Sequence, residues 1–349
     1  MTSIKAVIKE VALNALLRLR ANEALIRRSL ARRRYPRPAR AGGDRLVVAA
    51  VQARIHFVPD GVAFAAELCE QACAAVAAGA QLVVFPEDIG SNLLGLLPGV
   101  AELAGSESLD AAVRRLAGPG VSVGDAFRRV SGAAWRAYDA TFASLARRLG
   151  VYLVAGSIVL VEGDGRLRNV AHVYGPDGRL VARQPKLHLF PDEAGWGIAP
   201  GDDLQVFATP WCQMAVAVCM DMTYWEWARI ATGRGAEVLV CPSANPAPYN
   251  AWEELRGTWG RVQESPAYGV FCSAFGDVAG LTIRGRSAVL APLELSPSGD
   301  GVLAQAEAPD RPAVVVAELD LAALRRFRAE CGPEPNRELL RRYLPAVYG

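Results

Sequence analysis

The chain has 349 residues, 52% of them apolar, enough to bury a large core without needing more than one main domain. Seven cysteines with no CxxC pair and three single histidines (His56, His172, His188) argue against a disulfide framework and a zinc site, and fit a reducing, cytoplasmic setting. No apolar run reaches the ~20 uncharged residues of a membrane span, and the net charge of +2 hides a basic arm, residues 1–43, with eleven Lys or Arg against two Glu, joined to a mildly acidic body.

In that arm Ile4, Val7, Ile8, Val11, Ala15 and Leu19 recur at helical spacing, with Lys5, Lys9, Arg18 and Arg20 between them. A more basic second part, Leu25 to Arg34, ends at the breaker Tyr35-Pro36-Arg37-Pro38. Charge interrupts the apolar stretch, so a secretory signal fits poorly. Such a helix suits an anionic membrane surface or a partner; the plainer reading is a solvated tail.

The body opens with a buried strand, Leu46 to Gln52, and a helical stripe from Ala65 to Val76 closed by Gly79. A second strand, Gln81 to Glu87, ends in Pro-Glu-Asp and completes a βαβ unit with a carboxylate past its C-terminal end, where α/β sheets place their sites. Residues 88–131 read as irregular, a lid, binding loop or insertion. A helix is expected over Trp135–Arg148 and a strand over Val151–Leu160. Pro176-Asp177-Gly178 signals a hairpin between Asn169–Tyr174 and Leu180–Arg183.

Met214 to Val218 reads as a buried strand, and Thr223-Tyr224-Trp225-Glu226 matches a capping box, so a helix is expected from Thr223. Cys219 then stands between strand and helix, where a helix N-terminus would favour thiolate. A buried, inert cysteine is the competing reading. Further on come a strand at Ala236–Pro242, a helix at Trp252–Ser265, and strands at Gly269–Ala274, Ser287–Ala291 and Ala313–Leu319. The alternation gives an α/β fold with mixed sheets.

Glu87, Lys186 and Cys219 each follow a strand end. Brought to one pocket, a carboxylate can take the thiol proton and a lysine can stabilise an oxyanion. These segments resemble the carbon–nitrogen hydrolases of the nitrilase superfamily: Val83-Val84-Phe85-Pro86-Glu87, then Gly178 through Lys186-Leu187-His188 with Pro200-Gly201, then Val216-Ala217-Val218-Cys219-Met220-Asp221 with Glu226 and Arg229. Asn169, Arg261 with Glu264, Gly285-Arg286-Ser287 and Asn336-Arg337 support the match, which runs over about residues 45–340 in the family's order.

The resemblance implies an αββα sandwich of mixed sheets, usually paired into dimers, with Cys219 as nucleophile, Glu87 as general base and Lys186 as oxyanion stabiliser. The amide of Met220 would complete the oxyanion hole. A second, substrate-positioning glutamate is best matched by Glu193, with Asp192 as competitor; Trp196 and Asn245 would join Met220 in contacting substrate, although a turn role for Asn245 is equally open. No cofactor or metal is implied. The expected reaction opens a linear amide or N-carbamoyl compound through a Cys219 thioester. Alternatives are acyl transfer, nitrile hydrolysis, or a silent scaffold whose N-terminal helix binds a membrane or partner. The expected layout is an N-terminal extension and linker (1–44), a hydrolase domain (45–325), and a C-terminal tail (326–349) packing on the domain or a partner subunit, in a homodimer or larger homo-oligomer.

The sequence departs from the family at Met220, where an aromatic is common, at Tyr224-Trp225-Glu226 and at Ser265. Nitrilases proper tend to carry Cys-Trp-Glu, unlike Cys219-Met220-Asp221. Trp225 and Trp227 read as packing residues, His188 as structural, Arg261 with Glu264 as a structural ion pair, and Cys241 and Cys272 as inert.

Overall fold

The computed structural model describes residues 4–38, 43–246, 248–330, 338–339 and 342–343. Cys331, Asn336-Arg337 and most of the expected tail lie outside them. The chain begins with α1 (Ile4–Arg20) and α2 (Glu23–Ala31). Asn22 separates the two, its side chain accepting from Leu25 N as the α2 cap. Next come β1 (Arg45–Gln52), α3 (Gly61–Ala77) and β2 (Leu82–Val84). They are followed by α4 (Leu109–Ala117), α5 (Val123–Leu149), β3 (Tyr152–Val161), β4 (Leu167–Tyr174), β5 (Leu180–Pro185) and α6 (Pro191–Gly195).

The second half holds β6 (Val206–Ala208), β7 (Gln213–Val216), α7 (Trp225–Gly233), β8 (Val238–Ser243), α8 (Ala251–Glu254), α9 (Gly260–Glu264) and β9 (Tyr268–Ser273). It ends with the hairpin β10 (Gly276–Val278) and β11 (Leu281–Ile283), then β12 (Ala288–Leu290), β13 (Val302–Gln305), β14 (Ala313–Asp320) and α10 (Leu321–Glu330).

Two six-stranded sheets result, ordered β14-β1-β2-β3-β4-β5 and β13-β12-β9-β8-β7-β6. Each is mixed: β1, β2 and β3 run parallel in one, β7, β8 and β9 in the other, with antiparallel strands outside them. Strand side chains alternate in direction, so each sheet has two apolar faces to cover. Leu46, Val48 and Val84 meet Val216, Val240 and Val270 between the sheets. On the other faces Val51 and Val83 pack under Phe64 of α3 and Phe142 of α5, and Ala215 and Leu239 pack under Trp227 and Ala231 of α7. This is the αββα sandwich.

Three readings change. Residues 88–131 are not irregular: a 3-10 segment, Ile89–Leu96, leads to α4, and α5 begins at Val123, well before Trp135. The overlooked signal is Ser122 with Asp125, a capping box in which each side chain satisfies the other's backbone N–H. The helix expected from Thr223 starts at Trp225, because Cys219–Thr223 forms a 3-10 turn of its own. The helix expected over Trp252–Ser265 is broken at Gly257, whose backbone is non-helical within a π-type turn, Leu255–Trp259.

Candidate active site

Glu87 is aimed by the turn after β2. Opposite it β3 bulges between Val154 and Ser157, with Gly156 at a φ of 65°. A Cβ on Gly156 would lie 1.9 Å from the Pro86 carbonyl oxygen, so only glycine lets this turn come so close. Ser157 Oγ accepts from Asp88 N at 3.0 Å and pins the turn from the other side. Lys186 follows β5 and is held by its backbone, N to Asn169 O and O from Gly201 N, both 2.8 Å. Glu193 sits in the first turn of α6, where its Oε2 accepts from Phe190 N at 2.8 Å.

Cys219 comes three residues after β7, in the left-handed region at a φ of 48°. For a residue with a side chain that backbone is strained, and such strain concentrates at functional sites. Fully buried Asp221 restrains the turn: Oδ2 accepts from Val218 N at 3.0 Å, while Oδ1 accepts from Leu187 N at 3.1 Å and His188 N at 2.7 Å. One carboxylate therefore ties the cysteine turn to the segment carrying Lys186.

The side chains converge. Lys186 Nζ donates to Glu87 Oε1 at 2.8 Å and also to Glu193 Oε2. Asn169 Nδ2 donates to the same two carboxylates, 3.0 Å to Glu87 Oε1 and 3.0 Å to Glu193 Oε1. Glu87 Oε2 accepts from Ala244 N at 2.9 Å. Cys219 Sγ accepts from Ser243 Oγ at 3.2 Å and lies 3.6 Å from Asn245 Oδ1. Glu87 and Lys186 are each 2% exposed, so two carboxylates and one ammonium share a dry site in which every partner matters.

Burial pushes the Cys219 thiol well above its usual range, and the Glu87 carboxylate adds to this; Lys186 opposes it without prevailing. The expectation of a standing thiolate is therefore corrected: the partial charge of one short turn is outweighed by desolvation and a neighbouring anion. Burial likewise raises Glu87, against the pull of Lys186, which makes it a stronger base. The Glu87 and Glu193 carboxylates keep the Lys186 ammonium charged despite its burial. Asp88, beside Glu87 with a φ of 58°, is raised to about 8 by burial and by the Glu87 and Glu193 charges.

These groups open on a cavity of about 310 Å³. Met220, Asn245 and Trp196 all line it, and so does Asp192; of Asp192 and Glu193, it is Glu193 that is hydrogen-bonded to Lys186. The sequence reading assigned no role to Asp88 or to Asp221, and treated Asn169 only as a supporting match. Their signal was their company: each adjoins a motif residue or pairs across strands. Trp227 is buried in the α7 core, His188 bonds Asp221 Oδ1 at 3.0 Å and stacks on Tyr224, and Arg261 pairs with Glu264 at 3.3 Å. Cys241 reaches the cavity wall, but burial lifts its thiol to about 12. Among the described residues no group of His, Cys, Asp or Glu is arranged to hold a metal.

Comparison with known proteins identifies the fold and the family. The fold matches that of an amidase from Nesterenkonia sp. AN1, at a TM-score of 0.63 and 20% identity over 87% of this chain and 99% of that one. It also matches Saccharomyces cerevisiae Nit3, at a TM-score of 0.62 and 21% identity over 86% and 99%. In sequence, the chain is 33% identical to the Homo sapiens omega-amidase NIT2 over 198 residues, 53% of this chain and 67% of that protein. It is 30% identical to a probable hydrolase, YhcX, from Bacillus subtilis over 55% of this chain but only 38% of that longer protein. The family model for carbon-nitrogen hydrolases matches residues 47–329. With the fold, the motif order and that match in agreement, the chain belongs to the carbon-nitrogen hydrolase family.

Proposed function

We propose that the protein hydrolyses the C–N bond of a linear amide or N-carbamoyl compound through a thioester on Cys219. The observation that carries this reading is the single buried network in which Lys186 and Asn169 hold Glu87 and Glu193 beside the cysteine. Sγ attacks the carbonyl carbon as its proton passes to Glu87, so no standing thiolate is needed. The oxyanion forms against Lys186 Nζ and the Met220 amide. When the tetrahedral adduct collapses, Glu87 returns the proton to the leaving ammonia or amine. Water then attacks the thioester, again losing its proton to Glu87, and the acid leaves with the thiol restored. Glu193 holds Lys186 in place and positions substrate, with Trp196 and Asn245 on the cavity wall.

Relatives named as amidases and omega-amidases support an amide substrate. The test is turnover of a panel of linear primary amides and N-carbamoyl amines by the wild type, Cys219→Ala and Glu87→Gln. Both variants should lose activity by several orders of magnitude, as expected for groups that act as one unit. Undiminished turnover by Cys219→Ala would sink the reading. Formation of hydroxamate with hydroxylamine present would show the acyl group reaching an acceptor other than water.

A second reading concerns the arm. Helix α1 packs by Leu13 and Leu17 and turns Val7, Ile8, Val11 and Leu19 outward at 50–64% exposure, flanked by Lys9 and Arg18. That face suits an anionic membrane surface, and no helix among the described residues is long and apolar enough to cross one. Co-sedimentation with phosphatidylglycerol vesicles, lost in Ile8→Asp with Val11→Asp, is the expected result; equal recovery of both proteins would refute it. The family's habit of pairing makes a homodimer the expected state, measurable by light scattering.

A further inference from the structure

The proposed reaction puts negative charge on sulfur twice, in surroundings that resist it. Charge appears first as the thiol proton passes to Glu87, and again when the thioester C–S bond breaks and its electron pair returns to sulfur. A charged sulfur held away from water needs a hydrogen-bond donor. Lys186 Nζ is committed to the Glu87 and Glu193 carboxylates. Among the described residues, the donor that is hydrogen-bonded to Cys219 Sγ is the hydroxyl of Ser243, at 3.2 Å.

The fold holds that hydroxyl in place. Ser243 is the last residue of β8, which runs parallel beside β7, the strand that leads to Cys219. Its backbone pairs with Ser273 of β9, and its carbonyl accepts from Ala274 N at 2.8 Å. At 2% exposure the side chain has no bulk water to turn to. It has a second acceptor instead, Asn245 Oδ1, also at 3.2 Å. One hydrogen therefore serves two acceptors. While sulfur is protonated it is a weak acceptor and the amide oxygen competes well. Once sulfur is charged the balance reverses, because a hydrogen bond to an ion is roughly twice as strong as a neutral one. In keeping with this, the Ser243 bond pulls the thiol down while burial pushes it up.

We propose that Ser243 is a further catalytic residue, whose hydroxyl turns from Asn245 Oδ1 to Sγ and stabilises the negative sulfur as the thioester forms and breaks. The role rests on Cys219 being the nucleophile. No covalent bond of Ser243 changes: the thiol proton goes to Glu87, the new bond is S–C, and the serine hydrogen stays on its oxygen.

The test is the rate at which iodoacetamide alkylates Cys219 in the full chain at neutral pH, followed by the mass of the Cys219 peptide. Ser243→Ala should lower the thiolate fraction about tenfold, the scale of a hydrogen bond to a charged group. The more basic sulfur is also the better nucleophile, so the alkylation rate should fall about threefold. For an amide that is turned over, kcat should fall about tenfold with KM little changed, since the bond strengthens only when sulfur is charged. Ser243→Thr and Ser243→Val share one shape and differ in the hydroxyl, so altered packing affects both alike. The threonine variant should be alkylated faster than the valine variant, which should be as slow as Ser243→Ala. Alkylation of Ser243→Ala at the wild-type rate, or equal rates for the threonine and valine variants, would overturn the role. Alkylation needs no amide, so this result is separate from whether the amide panel is hydrolysed.

Discussion

Around Cys219 the local groups oppose ionisation, and that shapes the pH dependence. Burial holds both the thiol and Glu87 above their usual ranges. Activity requires the proton on sulfur and the charge on Glu87, so kcat/KM should fall on the acid side through a pKa above that of an ordinary glutamate and stay level through neutral pH. Glu87 itself raises the thiol. Glu87→Gln should therefore shift the rise of Cys219 alkylation by iodoacetamide to lower pH; a shift upward, or none, would contradict the coupling. At Asp221, replacement by Ala strands three backbone N–H groups, those of Leu187 and His188 on the lysine segment and of Val218 in the cysteine turn. A loss of about 2–4 kcal/mol in stability is expected from hydrogen bonds to a buried charge, measured by urea unfolding, together with a lower kcat. Glu87, Lys186 and Cys219 were legible because the sequence motifs name them. Asp221 and Asn169 were named with the same motifs, but their bonds were not legible, since these reach partners 34 and 82 positions away.

Elements were legible where one period dominates. The strands of the two sheet centres and α3 were readable, because buried apolar runs and a 3.6-residue stripe leave little choice. Short edge strands such as β6 and β13, and the β10–β11 hairpin, are held by pairing partners rather than by pattern. The same holds for the bulge of β3. Gly156→Ala combines a positive φ with a contact to Pro86 O and should destabilise by more than ~1 kcal/mol while lowering activity, since the displaced turn carries Glu87. At the contact of β4 with α5, His172 is buried against Trp135 and Tyr138 and depressed to about 3. The unfolded chain then binds a proton that the native one refuses, so stability falls as pH drops from about 6.5 towards 3. Replacing His172 with Phe should flatten that part of the urea-midpoint profile; an unaltered slope would rule out His172 as its source.

At the scale of the whole molecule, the arm is part of the body. Ile26 and Leu30 of α2 are fully buried in the same core as α3 and α5, and Arg20 Nη1 donates to Leu96 O at 3.0 Å. Truncating one such aliphatic side chain to alanine costs about 2–5 kcal/mol, so Ile26→Ala should lower the melting temperature markedly, whereas the outward Ile8→Ala should not. Strand and helix alternation made an α/β fold with mixed sheets readable, and the αββα plan followed from the family resemblance of three motifs in order. What sequence could not supply was the contact of the arm with the connection after Glu87, because the two were read singly as a tail and a loop. The central claim is that one sulfur, one carboxylate and one ammonium act on a single carbonyl. Its most direct test is the mass of the Cys219 peptide after acid quench during turnover of a linear primary amide. The account predicts a mass increase equal to the acyl group at Cys219, and neither adduct nor turnover in Cys219→Ala. An acyl group on another residue, or hydrolysis undiminished in Cys219→Ala, would contradict it.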